Sequence, residues 1–571
     1  MQTLYWGEAI DIPHLDQLGV TNGLKYRLIE IRDLAKSGLT DIHPLIGKFD
    51  CEPDRIRSEH NQLLCAEWVN KVKSLSSTCI GKLVEFASAV IEEAVSICGA
   101  TPCQFAAIGL GSLARGEATP YSNLEFLFLM EDMAHERYFE KLAVTVRFII
   151  GNLGETNLEH MDIEELGHWF HDKSADGFRV GGLGLNTANI PTGNGREDER
   201  IKFVTTVDEL VAKYKDFFSF SDSESPHIGD ISTMLASTVF LYGSLTIAND
   251  FQLKISGIKT TMQSHFATKE TLRADLAEFR FESSRYMGTQ SHLMHQVCVY
   301  PSALVSDLKI FYNISPSECW SVIDEMFCKS LLSEPIIKDL LFMIASAIFV
   351  KLSNTVETPS KILNRIDAEQ DWTKGRMWPI LRDLLIMIFA HTFPVQRAVQ
   401  EEVLEDKHHR VDPIDDNLLA VGLTLCYSKD YLAFLKISDS CTKRLRSSKA
   451  WSFMTVYSLK ECGRLAEALE IAETILSRDE LYEKERVDYY LQIAQISQMQ
   501  GEYAIALEFY GKCLAIQLTV YGDSNHPSIA SSYSNIGSVY HSQGEYAIAL
   551  ECYSKCLAIQ LTVYGDSNHP S

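Results

Sequence analysis

The spacing of apolar residues predicts a long helix early in the chain. Between residues 54 and 98, apolar side chains recur every three or four positions, as at Leu64, Trp68 and Val72. This spacing places them on one face of a helix. The following Gly99-Ala-Thr-Pro102 is a typical helix stop, because glycine tolerates the left-handed conformation and proline cannot continue a helix.

A different pattern follows this helix. Residues 105–110 form a short, continuously apolar run that suits a buried strand, and a second strand is predicted over 124–130. A helix is predicted over 136–151, and a further strand within 178–185. The order helix, strand, turn, strand, helix indicates the start of an α/β fold.

The C-terminal part of the chain contains a tandem repeat. Residues 501–528 recur at 544–571 with two substitutions, which gives a period of 43 residues, and helical spacing continues through 529–543 between the copies. Each unit therefore predicts a helix, a glycine-containing turn and a second helix. Such a hairpin buries its apolar face only against a neighbouring hairpin. A weaker unit lies at 451–476.

About three repeats are therefore predicted. The chain stops directly after an ordinary repeat without a polar cap, so we expect further repeats to be missing from it. A binding role for the array and a recent duplication without such a role are both open at this point.

Charge and composition bear on which partners and which cellular location the sequence predicts. The formal net charge of −24 disfavours general binding to nucleic acid or to an anionic membrane. The most apolar stretches, 340–350 and 384–389, are predicted to be buried helices, since they are far shorter than the roughly 20 residues that cross a bilayer. The 14 cysteines include no Cys-x-x-Cys pair, and no secretory signal is evident, so we expect reduced thiols and a cytoplasmic location.

Candidate chemistry lies between the two predicted strands. A turn containing Gly111 and Ser112, directly after a strand, exposes backbone amides and a hydroxyl that can hold phosphate oxygens. On the second strand, positions 123 and 125 point to one face, because alternate residues share a side. Two carboxylates there would hold magnesium ions for nucleotidyl transfer. The residues present are Asn123 and Glu125, so one carboxylate of the pair is replaced by an amide.

The segment resembles the polymerase-beta-type nucleotidyltransferases, specifically the nucleotidyltransferase group allied to protein-PII uridylyltransferase. The residues that match the pattern of this group are Gly111, Ser112, Arg115, Gly116, Glu117, Pro120, Ser122 and Glu125. The resemblance covers roughly residues 55–390 and implies a helix at 241–247, where relatives carry an Ala-Arg-Phe-Leu-x-Gly-Asp helix, and an all-helical substrate-binding part over 280–355. The repeats resemble tetratricopeptide repeats of the kinesin-light-chain variety.

The resemblance implies transfer of a nucleotidyl unit from a nucleoside triphosphate, with Mg²⁺, to a protein or small-molecule acceptor. Gly111 and Ser112 would bind nucleotide phosphates, and Arg115 would bind those phosphates or support the turn. Glu125 would be catalytic through the metal that it binds, and Asn123 occupies a degenerate catalytic position. Loss of one bridging carboxylate should cost roughly 10³-fold or more in rate.

A third carboxylate is expected on a later strand. Gly181 stands at the expected position, with Asp172 and Asp176 on the approach to it. Two hypotheses follow: an active transferase whose repeats bind a peptide or protein partner, and a degenerate domain that acts as a scaffold through those repeats.

The predicted fold class is multidomain, α/β plus all-α: a polymerase-beta-like nucleotidyltransferase domain, a helical companion domain and a C-terminal tetratricopeptide α-solenoid. The predicted divisions are an N-terminal region of unknown role, a helical lead-in with the α/β domain, a helical substrate-binding-like domain, a helical linker and the repeats. Their bounds are 1–54, 55–230, 231–395, 396–445 and 446–571.

Overall fold

The structure is a computed structural model in which two compact units are distinguished. The first comprises residues 1–279 with 294–410, and the second comprises 280–293 with 411–571. The residues that the structure describes are 18–122, 124–153, 180–181, 204–219, 235–261, 272–273, 276, 295–355, 378–404, 413–427, 429–441, 443–446, 448–477, 483–521 and 526–564.

The first unit combines a small sheet with many helices. Helices α1 to α10 are Leu18–Ile42, Glu59–Cys98, Gly111–Ala114, Glu136–Asn152, Val207–Ser219, Leu245–Thr261, Tyr300–Phe311, Cys319–Cys328, Glu334–Thr355 and Trp378–Ala398. Strands β1 to β5 are Phe105–Gly109, Leu124–Met130, Val180–Gly181, Val204–Thr206 and Val239–Gly243. Shorter 3₁₀ and π segments lie at His43–Lys48, Met133–His135, His295–Val299 and Val399–Val403.

Helix α2 is the predicted long helix. The hydroxyl of Ser58 accepts a hydrogen bond from the amide of Asn61 and caps its first turn. Gly99, with a φ of 88°, ends the helix as the sequence predicts. Among the described helices, α2 alone is long and apolar enough to cross a membrane. It packs instead against α1, α4 and α9, which is typical of a core helix.

The sheet is mixed and centred on β1 and β2. Strand β1 pairs antiparallel with β2 on one side and with β5 on the other. The outer edge of β2 pairs in parallel with both β3 and β4, at successive positions along its length. The predicted strands at 105–110 and 124–130 are thus confirmed, and β3 lies within the predicted 178–185.

Alternate residues of β2 face two different apolar cores. Phe126 and Phe128 pack in a cluster with residues of α2 and α4. Leu127 and Leu129 pack on the opposite face with residues of α5 and α6. The β2 strand is therefore covered by helices on both sides, and Glu125 shares the α5–α6 face, because alternate strand residues share a side.

The helix expected over 241–247 is wrong in its first part. Residues up to Gly243 belong to β5, and α6 begins only at Leu245. Pairing with β1 satisfies the backbone of β5, and the amide of Ser244 still donates to the carbonyl of Phe105 at 2.7 Å. A neighbouring strand thus decided the conformation of this apolar stretch.

The remaining described part of the first unit is mainly helical, and this includes residues 295–355 of the stretch predicted to be helical; residues 280–294 lie outside the described residues. The apolar runs 340–350 and 384–389 lie inside α9 and α10 and are almost completely buried. The indole of Trp68 on α2 lies 4.6 Å from the Phe349 ring of α9, measured between ring centroids. This packing joins the helical part to the α/β part.

The second unit is an array of helices. Helices α11 to α19 are Pro413–Tyr427, Tyr431–Ser440, Lys443–Arg446, Lys449–Glu461, Leu465–Leu476, Glu483–Met499, Tyr503–Tyr521, Pro527–Gln543 and Tyr546–Tyr564. The last six form the three predicted hairpins: α14 with α15, α16 with α17, and α18 with α19.

Each hairpin turns at a glycine in the left-handed conformation. Gly463, Gly501 and Gly544 have φ values of 75°, 79° and 81°. An L-residue other than glycine is disfavoured there, which explains why this residue type recurs at the same place in every unit. Helix α12 packs on the first hairpin, where the Trp451 indole donates to the hydroxyl of Ser438 at 2.8 Å.

Candidate functional site

The predicted phosphate-binding turn forms a single helical turn, α3, directly after β1. The amide of Leu110 donates to the carbonyl of Glu125 at 2.8 Å and ties the start of the turn to β2. Gly111 has a φ of 58°, which favours glycine. The first amides of any helix lack intrahelical acceptors, so this turn presents donors suited to an anion.

Glu125 lies directly on this turn. A Cβ atom added to Gly111 would overlap Oε2 of Glu125, so the carboxylate occupies the space that only glycine leaves open. Burial raises the pKa of Glu125, and the positive charge of Arg115 partly opposes the rise. The structure thus brings together the predicted phosphate turn and the predicted metal-binding carboxylate.

The segment between them folds back onto Ser112. Its carbonyl accepts hydrogen bonds from the amides of Glu117 and Ala118, at 2.8 and 3.1 Å. Farther along, the hydroxyl of Ser122 accepts from the amide of Thr119 at 2.8 Å and closes a tight loop before β2. These bonds explain how ten residues return the chain to a strand beside the turn.

Asn123 lies outside the described residues, so its alignment with Glu125 stays a prediction. The neighbouring parallel strand places Gly181 in register with Glu125, and Gly181 supplies no carboxylate. Asp172 and Asp176 also lie outside the described residues. Within the described part of the chain, no group of three or more histidine, cysteine, aspartate or glutamate side chains could hold a metal ion.

Glu117 forms a charge network for which the sequence analysis assigned no role. Its side chain is only 1% exposed, and Oε2 lies 3.3 Å from Nζ of Lys351 on α9 and 3.5 Å from Nε of Arg115. Lys351 also donates to the hydroxyl of Ser302 on α7 at 3.0 Å. Arg115, predicted to bind phosphate, is therefore turned towards Glu117 and supports the loop.

The pKa of Glu117 moves in the opposite direction to that of Glu125. Burial alone raises it, but the charges of Lys351 and Arg115, with hydrogen bonds from Ser302 and Lys351, outweigh burial and hold the pKa below its ordinary value. The sequence signal that could have revealed the pair is the single lysine near the end of the buried α9 run.

The loop is also tied to α8. The amide of Cys319 donates to the carbonyl of Arg115 at 2.9 Å. Gly116 has a φ of 76°, and a Cβ there would meet Cγ of Glu318 at 2.6 Å. The Arg115-Gly-Glu117 segment therefore anchors the turn to the helical part of the same unit.

The donor set fits a nucleotide-bound magnesium ion better than two independent metals. Magnesium is commonly held by one or two carboxylates together with substrate phosphates. Glu125 could supply one carboxylate to such an ion, and the first amides of α3 could contact the phosphates. The geometry suits a triphosphate that carries its own cation into the site.

Comparisons with known proteins agree with the two-part organisation. A family model described as "Putative nucleotidyltransferase DUF294" matches residues 61–159, and one described as a tetratricopeptide repeat matches residues 485–562. No curated protein matches the chain.

Among solved structures, one matching chain is a circular tandem repeat protein with novel repeat topology and enhanced subunit contact surfaces. It is 10% identical over 93% of this chain and 98% of its own, with a TM-score of 0.15. A TM-score this low carries no argument about the fold. The family models show that this chain carries a nucleotidyltransferase-like domain and, at its C-terminal end, tetratricopeptide repeats.

Proposed function

We propose that the chain is a nucleotidyltransferase related to protein-PII uridylyltransferase, which transfers a nucleotidyl group from a magnesium-bound nucleoside triphosphate to a protein or small-molecule acceptor. The observation that carries the proposal is the position of the Glu125 carboxylate against Gly111. This position supports the proposal because it sets the proposed metal ligand beside the amides proposed to bind phosphate. The proposed location is the cytoplasm.

Each residue has a distinct part in this proposal. The amides of Gly111 and Ser112 hold phosphate oxygens, and the ionised Glu125 binds the cation that accompanies them. The cation would neutralise phosphate charge and align the attacking group. Arg115 and Glu117 hold the turn in place through their ion pair.

In this proposal the repeats bind the acceptor, or the protein that carries it. Helical repeats of this kind expose an extended concave surface suited to a peptide. We therefore propose that the repeats of this chain, which resemble those of kinesin light chains, bind a peptide or protein partner. The strongly acidic chain argues against nucleic acid and anionic membranes as partners.

A second candidate function is a degenerate domain that acts as a scaffold. Two observations favour it: an amide stands at position 123, and Gly181 lies in register with Glu125 where a further acid would serve a metal. The repeats would then bind a partner without any transferase reaction. In that case, partner capture requires residues 449–571 and does not change in the Asn123→Asp variant.

Labelled nucleoside triphosphates distinguish the two candidates. The experiment incubates the native chain and the variants Glu125→Gln and Asn123→Asp with each labelled triphosphate and Mg²⁺. Both label transfer and triphosphate binding are measured. Glu131→Gln is the matched control, because Glu131 follows the same strand but is exposed. Transfer by the native chain that Glu125→Gln abolishes supports the enzyme. Transfer that arises only in Asn123→Asp supports the scaffold.

A further inference from the structure

Helix α1 belongs to the N-terminal region, for which the sequence predicts no role. The structure packs this helix against α2 and α9. It also brings one side chain of α1 onto the loop that leads from the glycine turn to β2. The contacts of α1 with the candidate site therefore give the N-terminal region a possible task.

One face of α1 is part of the core beneath the site. Leu24, Leu28 and Ile31 recur at helical spacing and are at most 5% exposed. They lie in the same apolar cluster as Ala118 of the loop and Leu124, the first residue of β2. Helix α1 thus shares one core with the residues on both sides of the segment 119–123.

Arg32 of α1 reaches the loop itself. Its Nη2 donates to the carbonyl of Pro120 at 3.4 Å, and its Cζ lies 4.1 Å from the centre of the Tyr121 ring. A guanidinium over an aromatic ring is attracted by the negative face of the ring, and its planar shape allows it to stack there. One side chain of α1 therefore contacts two successive residues of the loop.

The other bonds of this part of the loop are local. The amide of Ser122 donates to the carbonyl of Thr119 at 3.0 Å, and the amide of Tyr121 donates to the Thr119 hydroxyl at 3.3 Å. These bonds give the loop its shape. The contacts of Arg32, in contrast, join the loop to a helix of the core.

We infer that Arg32 is a positioning residue for the candidate site. It acts through Pro120 and Tyr121 and not on a ligand, and it fixes where the chain enters β2, the strand that carries Glu125. The consequence for triphosphate binding rests on the proposed function, whereas the contact of Arg32 with the loop does not.

Hydrogen exchange of the full chain, followed by mass spectrometry, tests this contact without a ligand. Arg32→Ala should accelerate exchange of the amides at 119–122 about tenfold, because the loop loses a cation–π contact and a hydrogen bond. Arg32→Lys should restore part of the protection, because an ammonium is also attracted by the ring. Arg27→Ala is the matched control, because Arg27 is an exposed arginine of the same helix.

A double variant tests whether the ring of Tyr121 is the partner. In a Tyr121→Ala background, Arg32→Ala should accelerate exchange less than in the native chain, because the ring contact is already lost. An undiminished effect, or unchanged exchange of the loop in Arg32→Ala, overturns the inference. Faster exchange throughout the first unit with a lower Tm also overturns it, because Arg32 then supports the whole fold.

Calorimetric titration with Mg²⁺ and each nucleoside triphosphate separates this inference from the proposed function. If the native chain binds, Arg32→Ala should weaken the affinity by up to about tenfold, because binding must then order the loop, and Arg27→Ala should not change it. Unchanged affinity with faster loop exchange overturns the role of Arg32 at the site. If the native chain binds no triphosphate, the proposed function fails, and loop exchange still decides whether Arg32 holds the loop.

Discussion

Glu117 in the loop is fully buried and Glu125 on β2 is partly buried, and the surroundings of the two glutamates shift their pKa values in opposite directions. Glu117 is surrounded by cations, and the charges of Lys351 and Arg115 lower its pKa despite burial. Glu125 is partly buried against the glycine turn, and loss of solvent raises its pKa although Arg115 lies nearby. The first carboxylate is stabilised by the fold, whereas the second is kept in an environment that disfavours its charge.

This difference distinguishes a carboxylate that supports the fold from one that is suited to binding a ligand. An ion pair that is satisfied inside the protein has little attraction left for a ligand. A carboxylate held without close compensation gains more from a cation that arrives with a substrate. The contrast supports the proposal that Glu125 binds the cation and that Glu117 holds the loop, and the following variants and conditions test it.

The largest effect is expected for Glu125→Gln. If Glu125 binds the nucleotide-bound cation, transfer should fall roughly 10³-fold or more. Stability should not fall, since the folded pKa is raised and the ionised form costs stability above that pKa. Label transfer and thermal unfolding at neutral pH measure both. A drop in Tm with unchanged transfer would assign Glu125 to structure.

The next effect is expected for Glu117→Gln. Removing this carboxylate leaves Lys351 and Arg115 without their shared anion. We expect a loss of about 2–4 kcal/mol in the free energy of unfolding, below the range for a fully buried pair because Lys351 is 24% exposed. Urea denaturation measures the change.

The matched test of this pair is Glu117→Gln combined with Lys351→Met. Because the double variant leaves no uncompensated lysine, it should recover part of the loss. Additive losses would show that the two groups do not act as a pair.

A smaller effect is expected for Gly111→Ala. The positive φ and the collision with Oε2 of Glu125 should together cost about 1–3 kcal/mol. Affinity for Mg²⁺ with a triphosphate should fall as the carboxylate is displaced. Gly81→Ala in α2 is the control: no atom lies within 4 Å of its added Cβ, so it should be neutral or stabilising. Equal behaviour of the two variants would contradict the close contact.

The smallest effect is the dependence on pH. Glu125 must be ionised to bind the cation, so affinity for Mg²⁺ with a triphosphate should fall as the pH drops through its raised pKa, at most about tenfold per pH unit. The stability due to Glu117 is present above its unfolded pKa and is lost only as the pH drops through its lowered folded pKa. Calorimetric titration and unfolding over an acidic pH series should therefore show binding lost before this stability.

Local patterns predicted the elements with clear signals. The strands predicted at 105–110 and 124–130 are confirmed, because a short apolar run between turn residues has few alternatives. The repeats were equally accessible, since Gly501 and Gly544 mark the same left-handed turn in two nearly identical copies. The helix expected at 241–247 is wrong in its first part, because pairing with β1, which the sequence pattern does not reveal, makes that part a strand.

The amino-acid sequence was sufficient for the order helix, strand, turn, strand and helix over 59–152, for the glycine turn and for the placing of Glu125 and Asn123 two residues apart, because each depends on spacing along the chain. The tertiary structure alone decided that Arg115 turns towards Glu117, that Lys351 completes the pair from more than two hundred residues away, and that the two glutamates have opposite pKa shifts. Burial and electrostatic compensation depend on neighbours that only folding brings together.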